Sequence, residues 1–340
     1  MLLQQKFEFL IIITFCLFLA SGFIFTPEVG VGGERFPFHR YLIVMEAFLF
    51  VANFRRLLPL LQRNALVLLL PIYVLVTSLW AFESVMVWKN AIFLFISLML
   101  GVQVAAVYAR KPVLFIWVVG MFLGLLVISS FLLVYFVSNV GIDIERFGRP
   151  RWVGITDHPN KLGVLCMLCI WFGLAFLILA KSIISKFTAI GLILVSGLVL
   201  AGADSKTSII ASLLLCLSAW YILFIKNRVA KILLLFALLT VFSLATFNLD
   251  LFKVENISEV TGRDITTLTG RTTLWRYAIE AIVARPIGGW GFDKLGGISS
   301  HLGVEMSHFH NGYLQLFVQG GIVALMLLII FAVLVFKRLV

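Results

Sequence analysis

An all-α polytopic membrane protein, with about ten transmembrane helices and a large outer loop containing an amphipathic helix, is the fold class this sequence predicts. Three observations predict it. Hydrophobic residues make up 62% of the 340 and charged residues only 13%, and the mean hydropathy of +1.10 is beyond what a soluble domain of this length needs for its core. Apolar stretches long enough to cross a bilayer of about 30 Å recur along the chain. Lys and Arg fall on alternate connections between those stretches, as cytoplasmic cationic loops do.

The stretches lie at 9–26, 65–82, 86–108, 112–138, 158–180, 187–203, 205–225, 229–248 and 309–336, with a shorter tenth, 39–54, that carries Glu46. The first, with Lys6 before it and "LASG" inside it, reads as a retained helix and not as a cleaved leader. With the N-terminus inside, Lys6, Arg55, Arg56, Arg63, Arg110, Lys111, Lys181, Lys186, Lys226, Arg228, Lys231, Lys337 and Arg338 share the cytoplasmic side with one acid, Glu8. Those 13 basic residues and one acid give +12 inside; the other 14 basic residues and 15 acids give −1 outside, so the formal +11 is carried by the cytoplasmic side. The basic balance therefore reports membrane orientation, not nucleic-acid binding. Ten crossings leave both termini inside and two long segments outside, 139–157 and 249–308. Residues 1–153 read as an N-terminal transmembrane scaffold, whereas 154–340 hold nearly all the unusual polar motifs. Cys16, Cys166, Cys169 and Cys216 fall within membrane segments, so no disulfide framework is indicated, and the C-x-x-C on a helix reads as packing.

The outer segment 249–308 is too long for an ordinary connection. Within it, "RTTLWRYAIEAIVA" puts Leu274, Trp275, Ala278 and Ile282 on one helical face, which predicts a helix lying on the membrane surface. The helix ends at "ARPIGGWGFD", where Pro286 disfavours helix at Arg285 and Gly288, Gly289 and Gly291 permit tight turns.

The even-numbered spans open on the outer face, and each brings a basic residue or a histidine: Arg40, Lys89, "TDHPNKLG" at 156–163, "GADSKTS" at 202–208 and "HFHNG" at 308–312. Helix N-termini present unpaired N–H groups and a partial positive charge, which suits anions. Lys161, Lys206, Arg146, Arg149, Arg151, Arg271 and Arg276 add an outward cluster fit for a phosphate or diphosphate; the plainer alternative is that they anchor helix ends at headgroups. Asp157 reads as a helix cap and Pro159 as the first helical residue, which sets His158 and Asn160 at the mouth. His308 and His310 sit where a helix enters the outer leaflet. A histidine there can take a proton from an attacking hydroxyl, can be structural, or can bind a metal with His301 and Asp293. A transporter of a small anion is a competing function for the same vestibule, but of its candidate midplane groups, Glu46, Pro71 and Gln103, none forms an evident pair. A non-catalytic scaffold is a third.

At these residues the sequence resembles the O-antigen ligase/polymerase family of bacterial cell-envelope glycosyltransferases. The resemblance rests on "HPNKLG" and "SKTS" opening two helices, "GRTTLW" followed by "PIGGWGF" in the outer loop, and "HNGYLQLFVQGG" leading into a late helix, together about 154–325. It implies a C-type glycosyltransferase-like architecture in the bacterial inner membrane, with 154–340 as the catalytic region. It also implies a metal-independent, cofactor-free transfer of a glycan from an undecaprenyl-diphosphate carrier to an acceptor hydroxyl on the periplasmic face. Carried over by position, His310 matches the family's catalytic histidine and Arg271 a diphosphate-binding arginine. Lys206 stands where many members carry arginine, a change that keeps the charge and loses the bidentate fork. Ala324 replaces one of the later glycines of the ligase pattern. His308, Asn311, His158, Asn160, Lys161 and Arg276 complete the expected substrate-binding set, and "HPNKLG" with "SKTS" inclines the reading to a polymerase over a ligase.

Overall fold

A computed structural model describes residues 2–23, 38–144, 149–224, 271–293, 295–304, 306, 308–309 and 311–339. The expected span 229–248, most of the outer loop before Arg271, Arg146 and His310 lie outside the described residues. The helices are α1 (Leu2–Ser21), α2 (Phe38–Arg63), α3 (Leu69–Val76), α4 (Ser84–Tyr108), α5 (Pro112–Phe136), α6 (Ser138–Gly141), α7 (Pro159–Leu179), α8 (Ile183–Ala203), α9 (Lys206–Phe224), α10 (Arg271–Ala284), α11 (Gly296–Leu302) and α12 (Gly312–Leu339). A two-residue antiparallel pair, β1 (Ile142–Asp143) and β2 (Arg151–Trp152), is the one sheet among the described residues.

The protein is a polytopic, all-helical membrane protein. Among the described residues five helices are long and apolar enough to cross a membrane: α4, α5, α7, α8 and the Gly312–Leu334 part of α12. A sixth arises if Tyr41–Arg63 and Ala65–Leu79, bent by 96° at Asn64, count as one broken span. This differs from the separate spans expected at 39–54 and 65–82. Arg55 and Arg56 do not end α2, because a helix accommodates exposed arginines and still buries Leu57. It ends at Asn64, whose Nδ2 donates to Leu60 O at 2.7 Å and satisfies a terminal carbonyl.

The chain divides into two compact units, Met1–Asn53 with Leu100–Phe236, and Phe54–Met99 with Ala237–Val340. In the first, α5, α7 and α8 pack around fully buried Leu123, Leu162, Leu165, Cys166, Cys169 and Val199. Small residues let these helices close up, as membrane interfaces favour: a Cβ at Gly124 would stand 2.3 Å from Leu192. Gln103 Nε2 donates to Glu46 Oε1, both buried, so two polar groups that the sequence leaves without an evident partner are joined.

In the second unit, α12 is broken at Gly321 (φ 61°, ψ −164°). The backbone groups that the break frees are taken by the segment 286–291. Trp290 N–H donates to Val318 O at 3.0 Å and Gly291 N–H to Gln319 O at 2.8 Å, while Ile322 N–H donates to Pro286 O at 2.9 Å. Tyr73 Oη adds a hydrogen bond to Gly320 O at 2.8 Å. The exchange requires the two backbone segments to touch, and "PIGGWGF" and "QGG" supply the room. α10 departs from its expected orientation. Its face with Ala278 and Ala281, flanked by Leu274 and Ile282, is turned into a core with Trp290, Leu295, Ile298, Phe309 and Val318, whereas Ile279 (58%) and Val283 (73%) are exposed. The periodicity is right and the partner differs: protein, not the membrane surface, covers the face the sequence singles out.

A Cβ at Gly321 would stand 2.0 Å from Ile287 O on a left-handed backbone. Gly321→Ala is therefore expected to destabilise by about 3 kcal/mol or more, whereas at Gly197, where nothing lies within 4 Å, the same change is neutral or stabilising. Thermal unfolding in detergent, followed by size exclusion, reads the difference; equal behaviour of the two variants would remove the break from its structural role.

Candidate functional site

In the first unit, the hairpin and three helix ends build a charged cluster. Pairing of Asp143 with Arg151 sets the Arg151 side chain, only 4% exposed, against the end of α8. Its Nε and Nη2 donate to Ala203 O at 3.1 and 2.9 Å, and Nη2 also donates to Asp204 O at 2.9 Å and Asn160 Oδ1 at 3.4 Å. These carbonyls are ones the helix itself cannot satisfy. Arg151, expected in an anion-binding cluster, is thus a structural cap.

Asp204 follows in the left-handed conformation (φ 48°, ψ 42°) as the C-cap of α8. Its carboxylate takes a salt bridge from Arg149 through Oδ2 and one from Lys206 Nζ through Oδ1 at 2.9 Å. Burial alone would raise the carboxyl's pKa, but the Lys206 hydrogen bond and the charges of Arg149, Lys206 and Arg151 overcome it and hold it below the ordinary aspartate value. Two cations on one carboxylate leave a positive excess at the N-terminus of α9. Beneath it, Ser205 and Ser208 are buried with their hydroxyls 3.1 Å apart, and Gly163 of α7 lets them in, since a Cβ there would lie 2.5 Å from the Ser205 Cβ.

At the start of α7 the cap is His158, not Asp157. His158 Nδ1 accepts from Asn160 N–H at 3.0 Å with Pro159 in the first turn, which fixes the neutral ring as the Nε2–H tautomer. Asp157 instead pairs with Lys161 at 2.6 Å, one turn on. His158, Asn160, Lys161 and Lys206 are therefore brought to one end of one unit, each hydrogen-bonded or ion-paired there.

In the second unit the histidine stretch is held by its middle residue. Phe309 is fully buried, its N–H donates to Gln315 Oε1 at 3.1 Å, and its carbonyl accepts from Trp275 Nε1 at 3.0 Å. His308 beside it is exposed. Asn311 caps α12, its Oδ1 accepting from Tyr313 and Leu314 N–H at 3.0 and 3.2 Å. Trp275 of "GRTTLW" thus ties α10 to the histidine stretch, a link that sequence reading missed although a tryptophan with a buried N–H commonly finds such a carbonyl. Arg276, on α10, is exposed with its guanidinium 5.9 Å from the Tyr277 ring; Arg271 opens the helix, and His310 is outside the described residues. The His301 ring lies tilted against that of Trp290, with centroids 4.8 Å apart and planes at 40°. Asp293 spends Oδ1 on Leu295 N–H at 2.8 Å and Oδ2 on Glu83 N–H at 3.4 Å. Among the described residues no three His, Cys, Asp or Glu side chains converge as a metal site would need.

Residues 190–329 match the O-antigen ligase family model. Over 198 residues, 53% of the chain, the protein is 30% identical to the exopolysaccharide production protein ExoQ of Rhizobium meliloti (strain 1021). The match covers 45% of that relative, so the chain spans less than half of its length. No solved structure matches.

Arg151→Lys keeps a charge but loses the fork that reaches three carbonyl contacts at once, and is expected to cost about 2 kcal/mol of stability. The Asp204 cluster adds a pH dependence of fixed sign. Its folded carboxyl is held below the ordinary value of 3.8, so its contribution is complete above that value and is lost as pH falls through the lowered one. Asp204→Asn should flatten this acid limb in thermal unfolding scans; an unchanged limb would dissociate the cluster from stability.

Proposed function

We propose, from the premise that residues 190–329 form an O-antigen ligase family domain, that the protein is a glycosyltransferase on the periplasmic face of the bacterial inner membrane. It moves a glycan from an undecaprenyl-diphosphate carrier to a sugar hydroxyl of a growing surface polysaccharide or lipopolysaccharide core. Polymerisation is the form we adopt over ligation, on the "HPNKLG" and "SKTS" motifs and on a relative named for exopolysaccharide production. Ten crossings with both termini cytoplasmic are the topology of this reading, and 154–340 its catalytic region.

The observation that carries the reading is the pair of cations, Arg149 and Lys206, gathered on Asp204 at the N-terminus of α9. Both cations are more than one-third exposed, and exposed ion pairs contribute little, so an incoming diphosphate exchanges for the carboxylate at small cost. The acceptor hydroxyl oxygen bonds to the anomeric carbon of the donor sugar, the bond from that carbon to the diphosphate oxygen breaks, and the electron pair leaves on the diphosphate. His310 takes the hydroxyl proton as general base, and His308 and Asn311 position the acceptor. Lys161 and Lys206, with His158 and Asn160 at the mouth, are the first unit's groups for the leaving charge in this reading, and Arg271 and Arg276 are the second unit's. The diphosphate linkage supplies the driving force, and neither metal nor other cofactor enters the scheme.

The break in α12 and the buried Glu46–Gln103 pair are features a transporter of small anions also uses. The backbone groups at the break are, however, hydrogen-bonded to 286–291, which accounts for the break without an ion.

His310→Ala should lower transfer about 100-fold or more in a host lacking the endogenous gene, with surface and lipid-linked glycans separated on one gel. Loss of long chains with build-up of single lipid-linked repeats marks a polymerase. Long lipid-linked chains left unattached to the lipid core mark a ligase. A variant indistinguishable from wild type would sink the base assignment.

A further inference from the structure

At the other end of α5, α7 and α8 from the charged cluster, two cavities of the first unit meet at Pro112. One, of 520 Å³, is lined almost wholly by apolar groups, among them Phe15, Val104, Phe115, Trp171 and Phe172. The other, of 570 Å³, carries Arg110 and Lys111 with Trp117 and Ser185. Tyr108 closes the boundary between cavity and α1, its hydroxyl donating to Glu8 O at 2.9 Å.

Charge at this end is one-sided. Lys111 is paired with Glu8 at 2.6 Å, whereas among the described residues no carboxylate pairs with Arg110, nor with Lys181 and Lys186 on the turn and helix start that bring Ser185 to the cavity. All four cations belong to the side that the distribution of Lys and Arg assigns to the cytoplasm. An apolar cavity adjoining cations that no carboxylate pairs with among the described residues has the chemistry of an anionic lipid, with room for an acyl chain in one part and for a phosphate beside the other.

We propose that this bipartite cavity binds an anionic diacyl phospholipid of the cytoplasmic leaflet. One acyl chain occupies the aromatic-walled part and the phosphate lies at Arg110, with Lys186 close by and Trp117 at headgroup level as interfacial tryptophans are. The site is separate from the transfer chemistry and does not depend on it.

Two variants test the two parts independently. Arg110→Ala with Lys186→Ala removes two of the three cations that no carboxylate pairs with among the described residues, and leaves the cavity. Gly101→Leu fills it: Gly101 lines the apolar part, and nothing lies within 4 Å of a Cβ built there, so the side chain grows into space and not into a neighbour. Full-length protein, checked for fold by circular dichroism and size exclusion, is delipidated and titrated with phosphatidylglycerol or phosphatidylcholine. Bound lipid is counted by native mass spectrometry. Wild type should prefer phosphatidylglycerol, and each charge removed should lower that preference about five-fold, so that the double variant loses most of it while still binding lipid. Gly101→Leu should retain neither. Equal binding of the two lipids by wild type, or undiminished retention by folded Gly101→Leu, overturns the proposal.

Discussion

The hairpin end of the first unit depends on one guanidinium. α8 must stop with carbonyls that have no partner in the helix, and at membrane depth such groups are costly. Arg151 brings several donors in a fixed fork, and the Asp143–Arg151 register of the hairpin delivers that fork to Ala203 O and Asp204 O. Much follows from this contact. With its carbonyl held, Asp204 takes the left-handed turn, Ser205 drops beneath α7 at Gly163, and α9 begins at Lys206 with its cation facing the carboxylate of the residue that made the turn. A buried charge is costly unless it is fully hydrogen-bonded; here the orphaned carbonyls and the buried cation satisfy each other.

The second unit meets the same constraint without a charge. Breaking α12 at Gly321 would leave backbone groups of 318–323 unpaired within an apolar helix, and the turn segment 286–291 supplies partners for them. This gives the glycines of two motifs one explanation. Their absence of side chains permits backbone to lie on backbone, and the hydrogen bonds then fix where α10 ends. Trp290 Nε1 to Ala281 O at 2.8 Å and Trp275 Nε1 to Phe309 O at 3.0 Å continue the pattern, with each tryptophan joining the helix to a distant carbonyl. Phe309 is thereby held from both sides, by Trp275 of α10 and Gln315 of α12.

Fold class was legible because hydropathy is additive along the chain and needs no partner. Boundaries were less so: arginines at 55 and 56 look like the end of a span, yet a helix tolerates them, and Asn64 decides the end through its side chain. The cap of α7 shows a related limit, since Asp157 and His158 are both competent acceptors and only the position of Lys161, four residues after Asp157, favours the arrangement found. That i,i+4 spacing was there to read. The orientation of α10 was not, because its sequence offers two adjacent apolar edges and the choice belongs to distant residues such as Leu295 and Phe309. In the same way the sequence displays cations plainly and hides their compensation, which requires knowing that Asp204 turns back on Arg149.

Compensation is itself informative about how such a cluster can work. Bare cations held side by side repel one another, and the fold would bear that cost whenever the site was empty. A carboxylate placed between Arg149 and Lys206 keeps them gathered and oriented in the absence of ligand, so little reorganisation is needed when an anion arrives. The lowered pKa of Asp204 is the signature of the positive field it experiences. One carboxylate carries a single negative charge, so two cations gathered on it leave a net positive field at the N-terminus of α9. Arg151, locked on the carbonyls of Ala203 and Asp204, holds the platform on which that field is built.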